Sequence, residues 1–310
     1  MEKLLAYGEK NYNYYSAHLK RKYNGQRVYK VIVDGGFTCP NRDGSKGYGG
    51  CTYCNVDSFT PTSRTMETMI EYGMQKARKS YKAEKFIVYF QPNTNTYAPA
   101  HYLKSLYDEA LSVNTHDIVG LSVGTRPDCL DLEKIALLES YTDRFDVDLE
   151  MGMESIYNDT LSQINRGCSH DEFLDTIKLL ENSKLDICVH TIFGLPGETK
   201  EMMLAYADEI NRFPQITFVK FHHLHIVEGS IMGAKYKKAP FPLFSLQEYT
   251  NFLCQLLPLV RPNMIIQRLF GISDLDMLIA PNWGLRKSEI QTFIDDEIER
   301  RGIVQGSQYI

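Results

Sequence analysis

Residues 39–54 read Cys39-Pro-Asn-Arg-Asp-Gly-Ser-Lys-Gly-Tyr-Gly-Gly-Cys51-Thr-Tyr-Cys54, three cysteines in one short glycine-rich loop. Just upstream, Val31 to Gly36 is Val-Ile-Val-Asp-Gly-Gly, a short buried strand running into a glycine turn. The thiols therefore hang off the C-terminal end of a strand, and thiolates grouped this way suit a soft metal. Four arrangements compete for them. Structural zinc wants four closing ligands, and no Cys or His follows Cys54 before His101. A disulfide conflicts with the cytosolic look of the chain. Inert buried thiols would not cluster amid so much glycine. An iron–sulfur cluster held by three cysteines, with one iron left open to a small molecule, fits the pattern best.

The chain has 310 residues, 43% hydrophobic and 24% charged, as expected of a soluble globular protein with one large α/β domain and an appendage, or two ordinary domains. No apolar run approaches the roughly 20 residues of a membrane helix, and Met1 to Lys10 lacks the apolar core of a secretory signal. Seven cysteines, an odd number, point to a reducing compartment, and the expected location is cytoplasmic. A net charge of −5 gives no overall drive toward nucleic acid. Any such contact would need a local basic patch, for which Lys20 to Lys22 and Lys235, Lys237 and Lys238 are candidates.

Outward from the cysteine loop, apolar β-branched stretches alternate with helical periodicity. Strands are expected over Val28–Val33, Lys85–Gln91, Ile118–Gly124, Asp146–Met153, Asp186–Gly194 and Ile216–Ile226. Helices are expected over Met66–Ser80, Ala100–Ser112, Asp131–Glu139, Asn158–Ile164, Asp171–Asn182 and Lys200–Arg212, with Ser169 and Glu172 as a capping box. Consecutive βα units imply a parallel barrel or a doubly wound sheet. After Pro240 the pattern changes to a helix over Leu246–Leu257, an apolar strand over Met264–Phe270 and a final helix from about Ser288 to Arg301. The expected organisation is an N-terminal segment over 1–27, a barrel over 28–240, and a small α+β C-terminal extension over 241–310 that covers the barrel opening.

The cysteine loop resembles that of the radical S-adenosylmethionine (SAM) superfamily, in which three cysteines hold a [4Fe-4S] cluster and SAM chelates the open iron. Tyr53, the aromatic before the last cysteine, matches the family habit. Eleven residues separate Cys39 and Cys51, a longer gap than the common one. The words Phe-Thr-Cys-Pro-Asn-Arg-Asp-Gly and Gly-Gly-Cys-Thr-Tyr-Cys look most like the YhcC-like group, related to the catalytic subunit of Elongator. The resemblance decides between the two architectures: it implies a partial (β/α)6 TIM-type barrel, with active groups at the C-terminal strand ends.

It also implies site residues. Gln91, with Asn93 or Asn95, stands where the family has a turn that meets the amino group of SAM. Ser122 falls near a ribose position. Glu154 and Arg166 match the ribose and carboxylate contacts, chemistry that suits a carboxylate and a bidentate guanidinium. His190 and the turn at Gly194 and Leu195 match the adenine side. Glu150 shares a strand face with Glu154 and points inward, where a lone carboxylate needs a partner. Lys220, His222 and Leu224 share one face of the sixth strand, and His223 and His225 the other. Glu150, Lys220, His222 and Arg268 are the candidates for substrate contact or acid–base work. The implied partners are a one-electron donor of flavodoxin or ferredoxin type and, by analogy with the Elongator-like branch, tRNA carrying a wobble uridine. A protein or small-metabolite substrate, and a non-enzymatic zinc-binding adaptor, are the alternatives.

Overall fold

A computed structural model describes residues 10–55 and 65–310; the first nine residues of the expected N-terminal segment lie outside them. The chain begins with α1 (Tyr15–Lys22), β1 (Val28–Val33), α2 (Met66–Tyr81), β2 (Lys85–Phe90), α3 (Ala100–Ser112), β3 (Ile118–Thr125) and α4 (Leu132–Glu139). There follow β4 (Asp146–Glu154), α5 (Asn158–Gln163), α6 (His170–Leu179), β5 (Asp186–Phe193), α7 (Lys200–Leu204), α8 (Tyr206–Asn211) and β6 (Ile216–His223). The C-terminal part holds β7 (Ile226–Val227), α9 (Ile231–Lys238), α10 (Leu246–Leu256), β8 (Ile265–Arg268), β9 (Leu278–Ala280) and α11 (Lys287–Arg300).

Seven strands form one sheet in the order β1-β2-β3-β4-β5-β6-β8, and every neighbouring pair is parallel. The partial α/β barrel expected from the sequence is what forms. Its inner strands are buried on both faces, as parallel strands under helices must be: in β2 every residue after Lys85 is buried, whereas the edge strand β1 exposes Tyr29 and Ile32. The helices pack outside through apolar stripes. In α2 these are Met66, Met69, Ile70, Met74 and Ala77. Gly73 lets that helix approach β1 closely, since a Cβ there would lie 2.4 Å from a Val31 methyl. The capping box of Ser169 and Glu172 starts α6, and a second, Ser245 with Glu248, starts α10.

A seventh strand extends the six counted from the sequence. β8 follows a 3₁₀ turn at Leu257–Leu259 and pairs with β6, setting Arg268 opposite Lys220. Its outer edge is covered by the N-terminal segment, where the Ile266 amide donates to the Asn13 carbonyl at 2.7 Å. α10 packs on the same side, with Phe252 against Phe193 at 4.8 Å and the Tyr249 hydroxyl on the Leu269 carbonyl at 2.7 Å.

The last residue of the basic run at the end of α1 is paired within the fold. Lys22 pairs with Asp146 at 2.9 Å and Asp186 at 3.7 Å, the first residues of β4 and β5. It therefore sits at the N-terminal end of the barrel, away from the cysteine loop, and not beside the active groups.

Asn95 ties the exits of β2 and β3 together. Its amide donates to the carbonyls of Phe90 at 3.0 Å and Gly124 at 2.8 Å, and its own carbonyl accepts from Tyr107 at 2.6 Å. Asn95→Ala removes both side-chain donations while the Gly124 carbonyl keeps the Asn95 backbone amide at 3.0 Å, and is expected to cost about 1–3 kcal/mol. Urea denaturation checks this; an unchanged midpoint would show that Asn95 does not hold the strand ends.

Candidate active site

The cysteine loop contains no helix and no sheet strand, so hydrogen bonds must shape it. The Cys39 carbonyl accepts from the amides of Arg42 at 2.8 Å and Asp43 at 3.2 Å, and the Cys54 amide donates to the Cys51 carbonyl at 3.0 Å. Asn41 reaches across to the Asn165 carbonyl at 2.5 Å, and the Asn165 amide reaches back to the Gly50 carbonyl at 2.8 Å. Thr52 donates to the Ile164 carbonyl at 2.8 Å. Gly167, at φ +60°, keeps this junction tight, since a Cβ there would meet the Asn41 oxygen at 2.5 Å. Arg126 holds the exit of β3 to the same place. It grips Asp128 with two bonds of 2.9 Å and donates to the Arg166 carbonyl at 2.8 Å.

All three thiols are free and line one wall of a cavity of about 500 Å³ at the C-terminal ends of the strands. The same cavity is lined by Gln91 and Asn93 after β2, and by Glu154 and Arg166. Glu154 ends β4 at φ +63°, a left-handed conformation that a non-glycine residue adopts only under constraint. Arg166 donates to the Gly152 carbonyl at 2.8 Å and lies 3.9 Å from Glu154 and 4.0 Å from the Cys51 sulfur. Its Nε is buried without a partner. Burial pushes the Glu154 carboxyl above its usual range against the pull of Arg166, and burial likewise raises the Cys54 thiol. This wall thus presents a guanidinium and a carboxylate with unused bonding capacity.

The sulfur spacing bears on the ion. Among the described residues, the one trio of metal-ligating side chains whose donor atoms lie within 4.8 Å of one another is Glu150, Cys188 and His190. The three loop sulfurs do not all lie within that distance of one another, whereas tetrahedral zinc with bonds of about 2.3 Å draws its sulfurs to about 3.8 Å. The loop fits a body several ångströms across better than a single ion.

Below the thiols, Glu150 is the centre of a buried ionic floor. It accepts from Lys220 and Tyr89, from Lys30 at 2.6 Å, from Ser122 at 3.0 Å and from the neutral His190 at 2.9 Å. Lys30 also pairs with Asp148 at 2.7 Å. Burial would raise the Glu150 carboxyl, but Lys220 and Lys30 hold it well below the usual range. Burial lowers the Lys220 ammonium despite Glu150. The trio around Glu150 is therefore already taken by ammoniums and is no vacant metal site.

The structure gathers most of the residues singled out from the sequence. Cys39, Cys51, Cys54, Tyr53, Gln91, Asn93, Glu154 and Arg166 line the upper cavity, and Glu150, His190, Lys220, His222 and Arg268 its lower part. Ser122 lies wholly buried in the floor behind Glu150. Gly194 and Leu195 turn away: a Cβ at Gly194 would meet Phe244 at 3.2 Å, and Leu195 packs with Ile192, Leu224 and Met232. The two-face assignment of the histidines is overturned past His223, where β6 ends and alternation stops. His222 and His225 both line the cavity, while His223 stacks on Trp283 at 4.1 Å. Sequence reading passed over Lys30, Tyr89 and Asn41; a lysine inside the apolar strand Val-Tyr-Lys-Val-Ile-Val was the available signal.

The comparisons with known proteins agree with this geometry. The chain matches the radical SAM superfamily over residues 39–210 and the radical SAM C-terminal domain over residues 216–300. The chain belongs to the radical SAM superfamily, and its cofactors are a [4Fe-4S] cluster and SAM. Its place is in the YhcC-like group, related to Elp3. It is 35% identical to Protein YhcC of Escherichia coli over 300 residues, covering 96% of both chains. It is 33% identical to Uncharacterized protein YtqA of Bacillus subtilis over 302 residues, covering 96% of this chain and 92% of that one. A tRNA uridine(34) acetyltransferase of Methanocaldococcus infernus is 27% identical over 209 residues, covering 64% of this chain and 37% of that one. The archaeal Methanocaldococcus infernus Elp3 structure shares the fold with a TM-score of 0.68 at 18% identity, over 90% of this chain and 64% of that one.

Two predictions follow from the floor and the histidines. Glu150→Gln leaves Lys220 buried without a carboxylate and is expected to cost on the order of 3–5 kcal/mol. Adding Lys220→Met should recover part of that loss, and strictly additive costs would contradict the pairing. Burial holds His190 and His225 at pKa about 4 and His222 and His223 well below the usual 6.5. The unfolded chain takes up those protons near pH 6.5 and the folded chain does not. Stability therefore falls as pH drops from about 6.5 toward 4, by about 1.4 kcal/mol per pH unit for each such histidine. His223→Phe should flatten the pH dependence of the urea midpoint, and an unaltered slope would contradict it.

Proposed function

We propose that Cys39, Cys51 and Cys54 hold the cluster, and that Gln91, Asn93, Glu154 and Arg166 bind SAM above the Glu150 floor. We propose further that the substrate is the C5 substituent of a tRNA wobble uridine. When bound, the cluster and SAM together supply reductive cleavage of a C–S bond, giving methionine and a 5′-deoxyadenosyl radical that takes a hydrogen atom from substrate. The chain's own residues do the rest. Arg166 grips the SAM carboxylate in bidentate fashion, and Glu154 accepts from the ribose hydroxyls. Gln91 and Asn93 accept from the ammonium. Lys220, Tyr89 and His190, all bonded to Glu150, close the bottom of the chamber and keep bulk water from the reacting carbon.

The observation that carries this reading is the one cavity that Cys39, Cys51, Cys54, Glu154 and Arg166 line together at the strand ends. The RNA assignment is supported by the tRNA uridine(34) acetyltransferase relatives. It is supported also by α9, which starts against the cysteine loop, with the Met232 amide on the Thr52 carbonyl at 2.7 Å, and ends in Lys235, Lys237 and Lys238. Lys237 is paired with Glu228 at 2.6 Å, which leaves Lys235 and Lys238 for a phosphate backbone. The electron comes from an external donor of flavodoxin or ferredoxin type.

Anaerobically reconstituted protein with SAM and dithionite should form 5′-deoxyadenosine, and Cys54→Ala should abolish it. Arg166→Lys keeps the charge and loses the fork, so the apparent affinity for SAM should fall about tenfold. No 5′-deoxyadenosine from the wild type would sink the enzyme reading. Mass spectrometry of tRNA nucleosides from a deletion strain should show a changed wobble uridine, and an unchanged profile would contradict the RNA assignment alone.

A further inference from the structure

A second cavity, of about 480 Å³, opens on the side of the barrel between the two terminal strands of the sheet. β1 forms one lip and β8 the other, and the N-terminal segment and the start of α11 stand around them. It shares Tyr89, Gln91, Lys220 and Arg268 with the main cavity, so the two spaces meet through the gap in the barrel.

The charge of this opening is one-sided. Among the described residues, Lys10, Lys30, Lys220, Arg268 and Lys287 line it and no carboxylate does, in a chain whose net charge is −5. Three of the five cations are answered from behind the wall: Lys10 by Asp295 at 2.5 Å, Lys30 by Asp148 and Glu150, and Lys220 by Glu150. Arg268 and Lys287 have no hydrogen-bond or ion-pair partner among the described residues. Five cations set against the carboxylates of Asp295, Asp148 and Glu150 leave an excess of two positive charges. Beside Arg268 on β8, the Nε2 of Gln267 is buried without a partner and lines the same cavity. Two adjacent uncompensated cations and an idle amide donor are a costly arrangement in an empty wall, and one that an anion relieves.

We propose that the side opening is a phosphate-binding port. Arg268 and Lys287 take up a phosphate group of the substrate, Gln267 donates to it, and the remainder of the substrate passes Tyr89 and Lys220 into the chamber. The guanidinium supplies a two-toothed contact and the ammonium a point charge. A phosphate group gathers its charge on one tetrahedral centre that both cations and the amide can reach, whereas succinate spreads its charge over two separate carboxylates. The proposal rests on the main cavity being the catalytic chamber, and it is independent of whether the phosphate belongs to RNA.

Calorimetric titration of the full chain with uridine 5′-monophosphate, uridine and succinate tests it without turnover. The nucleotide should bind saturably, and uridine and succinate at least about tenfold more weakly. Lys287→Ala and Arg268→Gln should each weaken nucleotide binding about tenfold, and Lys287→Arg should retain it. Lys287 is exposed, so Lys287→Ala should melt with the wild type even if the Arg268 variant fails to fold. Uridine or succinate binding as tightly as the nucleotide would overturn the port, and so would wild-type affinity in Lys287→Ala. Because no chemistry is read, an absent SAM cleavage or an unchanged tRNA profile counts against the proposed function and leaves the port standing.

Discussion

Asn41 and Asn165 hold each other's loops: the Asn41 amide donates to the Asn165 carbonyl, and the Asn165 amide donates to the carbonyls of Gly50 and Tyr48. The site depends on this exchange. A sixteen-residue stretch rich in glycine has little tendency to hold one shape. Thiols meant to share one inorganic body must nonetheless stay fixed relative to one another. The reciprocal amides transfer the rigidity of the sheet to the loop, because the junction that carries Asn165 is itself clamped through Arg126 to the exit of β3. The same junction carries Arg166, so the thiols and the guanidinium beside Cys51 are positioned by one piece of backbone.

The chamber is layered by charge. At its mouth Glu154 and Arg166 keep bonding capacity unused, which suits a ligand that brings both a carboxylate and hydroxyls. At its floor Glu150 has none to spare, since Lys30, Lys220, Tyr89, Ser122 and His190 saturate it. A saturated network of this kind is rigid and closes the barrel against water. At its side two cations stand without counter-charge. Bonding capacity is thus left open at the mouth and the side opening, and closed at the floor.

Much of this was legible in the sequence where the signal is contiguous. The three cysteines, the alternation of buried strands with helices, and the Ser169 capping box are local patterns, and each formed where it was read. Glu150 and Glu154 on one strand face were legible for the same reason. What stayed hidden depends on which distant strands meet. Lys30 lies in β1 and finds its carboxylates on β4, with two strands between, so nothing near it in sequence announces the pairing. β8 was legible as a strand but not as part of the sheet, because the change of pattern after Pro240 set it in the extension and its partner β6 lies some forty residues upstream. The Lys20 to Lys22 run misled because Lys22 pairs with Asp146 and Asp186, far away in the chain, which sets the run at the other end of the barrel. His225 faces the chamber because β6 stops at His223, and no period-two argument survives the end of a strand.

The central claim is that three thiols, and no fourth protein ligand, hold a body with one corner left for SAM. Mössbauer spectroscopy of the ⁵⁷Fe-reconstituted protein, with and without SAM, tests it most directly. The account predicts a [4Fe-4S] signature in which one iron is distinguishable and changes its parameters when SAM is added. Four irons indifferent to SAM, or a protein that takes up one zinc ion in place of iron, would contradict it.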